Sequence, residues 1–125
     1  MGYDQKLIIV EKHMEPFAIA EFINGKHYYW GEKIASIEMG VVPAFYHLFK
    51  DKPTDCFVFL EDGNTMIVND SYGDPMGMAS LAEVVEVLEK EISGNDDRRL
   101  RPALGLLKGF DHSQWSNLVV LRYGH

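Results

Sequence analysis

The sequence predicts an α+β fold: an antiparallel or mixed β-sheet built from hairpins, covered by one well-defined helix over 80–93 and one or two short helices. Three observations carry that expectation. Leu81, Val84, Val85, Leu88 and Ile92 fall at i, i+3, i+4, i+7 and i+11, a single apolar helical stripe. Asn24-Gly25 and Asp62-Gly63-Asn64 each separate two strand-like runs and tolerate the positive φ of a tight hairpin. The 125 residues, 46% hydrophobic and 25% charged, suit one compact acidic domain over 1–125 with a core of its own.

Taken in order, residues 6–13 read as a strand around the β-branched run Leu7-Ile8-Ile9-Val10. Glu15-Pro16 marks a turn, and 17–23 reads as a second strand. The Asn24-Gly25 turn returns the chain through 26–30, so the first three strands are expected to form an antiparallel meander. Gly31 is expected to end or bulge the third strand. Residues 32–39 fit a strand or a two-turn helix, and the alternation favours strand. Pro43 suits the first turn of a short helix carrying Phe45, Leu48 and Phe49. Residues 56–61 and 65–69 are the arms of the second hairpin, and Phe57-Val58-Phe59-Leu60, apolar on both faces, belongs inside a sheet. Residues 70–78 carry two glycines and a proline without helical or strand periodicity, and read as a loop. Ser80 and Glu83 form a capping box, and Gly94 supplies a left-handed stop. A short helix over 102–108 and a buried strand over 118–121 complete the chain.

The net charge of −7 speaks against nucleic acid as a direct ligand. Its distribution is uneven: residues 51–97 hold two Lys/Arg against twelve Asp/Glu, while 98–125 hold five against one. The acidic middle and basic tail can neutralise each other in the fold. With one cysteine there is no internal disulfide, which favours a reducing compartment. The N-terminus lacks the basic and apolar regions of a signal peptide, Lys6 breaks a myristoylation motif, and the apolar runs are too short to span a bilayer. The expected setting is cytoplasmic, away from membranes.

No phosphate-binding loop, dinucleotide fingerprint, nucleophile elbow or zinc-spaced Cys/His pair is present, so neither cofactor nor metal is expected. The five histidines never fall at a ligand spacing. Cys56 opens an apolar strand and reads as a small buried hydrophobe rather than a nucleophile. In His27-Tyr28-Tyr29-Trp30, alternation puts Tyr28 and Trp30 on one face, as interface anchors or as cross-strand packing. The second hairpin is expected to bring Asp55 and Asp70 together at its open end, with Asp51 and Asp74 close by. Such a cluster would meet Arg98, Arg99 and Arg101, a basic partner, or a divalent cation, in that order of preference.

Two functional readings follow. In the first, a small acidic, non-enzymatic protein docks on the basic surface of another protein, in the manner of an inhibitor, immunity protein or phage-encoded antagonist, through Asp70, Tyr72, Asp74, Glu83, Glu86, Tyr28 and Trp30. In the second, residues 70–78 roof a small-molecule site or an active site.

Overall fold

The computed structural model of the chain describes residues 5–13, 21–23, 26–40, 42–59, 66–94, 100–110 and 117–124. Seven strands and three helices occur among them: β1 (Gln5–His13), β2 (Glu21–Ile23), β3 (Lys26–Glu38), α1 (Pro43–Phe49), β4 (Cys56–Phe59), β5 (Met66–Ile67), β6 (Gly77–Ser80), α2 (Leu81–Gly94), α3 (Leu100–Lys108) and β7 (Leu118–Gly124). The sheet is mixed, in the order β5-β4-β3-β1-β7-β6 with β2 paired to β3. The α+β expectation holds, and the three helices fall within the two or three expected to cover the sheet. Both hairpin turns, 24–25 and 62–64, lie outside the described residues, but their arms pair as antiparallel strands.

The first three strands are not the simple meander expected. β1 pairs directly with β3 from Lys6↔Glu38 to His13↔Trp30, and β2 pairs only with the first residues of β3. Gly31 neither ends nor bulges the strand. A Cβ there would lie 3.2 Å from the Phe57 carbonyl oxygen and 3.3 Å from Val10 Cγ2. Glycine lets β1, β3 and β4 approach closely at this point. The extra residue is Ile34 instead, because the register steps from Ile9↔Ala35 to Val10↔Lys33. Residues 32–38 are strand, as the alternation favours.

β3 and β4 run parallel, and the link between them carries α1 as the crossover such a pair requires. Pro43 stands at the first turn of α1, whose Phe45 and Phe49 are buried. The capping box of α2 is present: the Glu83 amide donates to Ser80 Oγ at 3.1 Å and the Ser80 amide to Glu83 Oε1 at 3.2 Å. The helix starts at Leu81 and includes Gly94 as its last residue. Leu81, Val84 and Leu88 are buried, while Val85 and Ile92 pack half-buried at the margin. α3 begins two residues before the expected 102, and β7 extends past the expected 121 to Gly124.

Two apolar cores lie on opposite faces of the sheet. Leu7, Ile9, Ala79 and Val120 face the three helices. Ile8, Val10 and Leu121 face the other way, against Val58 and Met76. The second core is enclosed because the sheet returns on itself. β6 pairs with β7, and the same segment bridges Pro53 through Gly77 and Asn69 through Pro75. Thr54 donates its amide to the Met76 carbonyl at 2.7 Å, and Met76 donates its own to Val68 at 3.1 Å.

Candidate functional site

Residues 70–76 are a tightly bonded turn rather than an adaptable loop, and Gly77 and Met78 belong to β6. Asp70 organises it. Its carboxylate, in a residue only 8% exposed, accepts the amides of Tyr72 at 2.9 Å and Asp74 at 3.1 Å. Its amide donates to the Asp74 carbonyl at 2.8 Å, and its carbonyl accepts from Gly73 at 3.1 Å. Gly73 takes φ 84°, a value glycine adopts without a Cβ penalty. Ser71 anchors the turn to β7 by donating its amide and its hydroxyl to the Gly124 carbonyl. Tyr72 stands at the tip, 52% exposed, with Asp74 exposed beside it.

The expected carboxylate cluster does not form. Residues 75–77 return between the two arms of the β4–β5 hairpin, since Met76 bonds Thr54 on one side and Val68 on the other. Asp55 and Asp70 therefore do not face each other. Asp55 instead pairs with the Lys12 ammonium, while Asp70 turns into its own loop. Among the described residues no group of three or more His, Cys, Asp or Glu is gathered in a way that could hold a metal ion. Arg98 and Arg99 lie outside the described residues; Arg101 is exposed on α3.

Cys56 is fully buried, and its thiol donates weakly to Asp55 at 3.6 Å. Burial, reinforced by the Asp55 charge, pushes the thiol pKa up to about 12. A thiol so disposed is no nucleophile at neutral pH.

Three of the four glutamates of α2 are engaged by lysines of the same chain. Glu83 meets Lys52 at 3.0 Å, Glu86 meets Lys90 at 3.3 Å and Glu89 meets Lys108 at 3.0 Å. The Lys52 contact, followed by the Ser80 amide, holds the Glu83 carboxyl below its ordinary pKa. Tyr28 and Trp30 are half-buried; Trp30 stacks on His13 with ring centroids 4.7 Å apart, and His13 Nε2 lies 2.9 Å from Glu32 Oε1. The candidate residues thus fall in three places: Asp70, Tyr72 and Asp74 in one turn, Glu83 and Glu86 on α2, Tyr28 and Trp30 on β3.

Beside the turn lies an open cleft of about 290 Å³, lined by Phe49, Asp51, Lys52, Pro53, Pro75, Gly77 and Arg122. Arg122 donates its Nε–H to Gln5 Oε1 at 2.6 Å. Gln5 is 3% exposed and donates its own amide to the Val42 carbonyl at 3.3 Å. Gln5 and Arg122 stand 117 residues apart, so no local pattern in the sequence marks this pair.

Compared with protein families, curated proteins and solved structures, the chain matches none. No helix among the described residues is long and apolar enough to cross a membrane.

Proposed function

We propose that the chain is a small acidic, non-catalytic binding protein that docks on a basic surface of another protein, with the 70–76 turn as its leading edge. One observation carries this reading: an aromatic side chain, Tyr72, is held out to solvent on a turn fixed by Asp70, with Asp74 beside it. A rigid aromatic anchor loses little conformational entropy on binding, and an adjacent carboxylate guides encounter with a cationic partner. Glu86 extends the acidic field along α2, and Tyr28 and Trp30 form a secondary contact. Glu83 acts mainly through its cap and its lysine. Immunity-type inhibition of a nucleic-acid-binding protein is the use that best suits this chemistry.

The test is affinity capture from native lysate with identification of the retained protein, followed by binding kinetics. Asp74→Lys with Glu86→Lys should slow association and flatten its salt dependence. Tyr72→Ala should speed dissociation by about tenfold or more. Unchanged kinetics in both variants would remove the turn from the interface.

A second reading has an observation of its own. The cleft lined by Pro75 and Gly77 gives the 70–78 segment a place for a small molecule.

A further inference from the structure

We propose that the groove between α2 and α3 receives an arginine side chain of the basic partner. The inference rests on the protein-docking reading and adds the residue type that the partner presents.

The groove is open and about 340 Å³ in volume. Leu81 and Val85 of α2 and Leu107 of α3 give it an apolar floor, with Leu81 and Leu107 buried and Val85 half-buried. Glu86 and Glu89 stand on the α2 rim and Lys108 on the α3 rim, all exposed. Three residues apart, the two glutamates are neighbours on the helix surface. An alkyl stem fits the floor and a cationic head fits the rim.

The chain itself shows the match. Lys108 reaches across from α3 and places its ammonium 3.0 Å from Glu89 Oε1. Lys90 meets Glu86 at 3.3 Å along α2. The four side chains of these two pairs are at least half exposed, and such pairs contribute little in water. An arginine exceeds both lysines as a partner for the carboxylates. Its guanidinium is a planar fork of donors and is more weakly hydrated than an ammonium, whereas each lysine makes a point contact. Long-range charge selects the same occupant: α2 carries four glutamates against one lysine, in a chain of net charge −7.

The test follows the amide NMR spectrum of the full chain during titration with Nα-acetyl-arginine amide. Two control probes separate charge from stem. Nα-acetyl-citrulline amide keeps the shape without the charge, and methylguanidinium keeps the head without the stem. The arginine probe should give saturable shifts confined to residues 81–89 and 107–108. Each control should bind about tenfold more weakly or worse. Glu86→Gln with Glu89→Gln, both at exposed positions, should reduce the arginine probe to the level of the citrulline one. Lys108→Met keeps an unbranched stem and releases Glu89. It should tighten the arginine probe by about threefold, the contribution of an exposed ion pair. A citrulline probe that binds as well as the arginine one would overturn the cationic occupant. Shifts scattered over the acidic surface, no saturable shift, or an unchanged affinity in Lys108→Met would overturn the groove as an arginine site. The Tyr72→Ala and Asp74→Lys kinetics with the captured partner read the turn separately. A silent groove therefore removes this inference alone and leaves the docking reading to its own test.

Discussion

Gly77 lies directly against Phe49: a Cβ added at Gly77 would sit 2.7 Å from Phe49 Cβ and 3.1 Å from two atoms of its ring. The contact locks α1 to β6, where the sheet turns towards its own beginning. Gly77→Ala should therefore destabilise the chain by roughly 1–3 kcal/mol, because neither backbone nor ring can yield cheaply. Urea denaturation measures this. Phe49→Leu in the same chain should recover part of the loss, and an undiminished midpoint for Gly77→Ala alone would show that the two do not touch.

Asp70→Ala should cost roughly 1–3 kcal/mol, since it leaves the amides of Tyr72 and Asp74 without their acceptor. Asp70→Asn should cost less, because an amide oxygen still accepts. Hydrogen exchange gives an independent reading. The amides of residues 72 and 74 should exchange faster in the alanine variant, while those of β1 keep their protection.

On α2 the two neighbouring valines should differ. Val84 is fully buried and Val85 only half-buried. Val84→Asp should cost several kcal/mol by placing an unpaired charge in the helix-side core. Val85→Asp should cost clearly less, as its carboxylate can reach water at the helix margin. Equal melting temperatures for the two variants would contradict this orientation of the helix.

Cys56 should resist iodoacetamide in the folded chain at neutral pH and react once denaturant is added. Its folded pKa of about 12 lies above its ordinary value of 9.0. The stability this group contributes is thus fully present below pH 9 and is lost as the pH rises towards 12. Cys56→Ala should flatten the alkaline limb of the stability profile between those values. Rapid labelling of the native protein would contradict the burial.

Local rules made much of this fold legible. The stripe and capping box of α2, the proline start of α1 and the paired arms beside Asn24-Gly25 all depend on residues close in sequence. Most of the loop expected over 70–78 was also visible, because glycine and proline leave a local mark, although Gly77 and Met78 belong to β6. What could not be read depends on distant partners. Gly31 looks like a strand breaker until Val10 and the Phe57 carbonyl are seen against it. The Asp55–Asp70 juxtaposition followed correctly from hairpin geometry and failed because a third segment, through Met76, takes the place between the arms. Arg122 and Gln5 stand far apart in sequence, and Glu83 and Glu89 met their lysines only in three dimensions, whereas Lys90 stands one helical turn from Glu86.

The pairing of β7 with β1 also sets an order of events during folding. β1 lies between β3 and β7, and β7 joins β1 to β6. Residues 5 and 124 are direct partners in that ladder. A chain emerging from a ribosome can form the β2–β3 and β4–β5 hairpins early, since their contacts are local. β1 must keep one edge unsatisfied until β7 has been made, and an open edge of that kind invites pairing with other chains. Closure of the sheet thus waits for β7 and is slowed by the entropy of joining segments far apart in sequence. A chain truncated before Leu118 would carry two open edges, on β1 and β6, and would be expected to aggregate rather than fold.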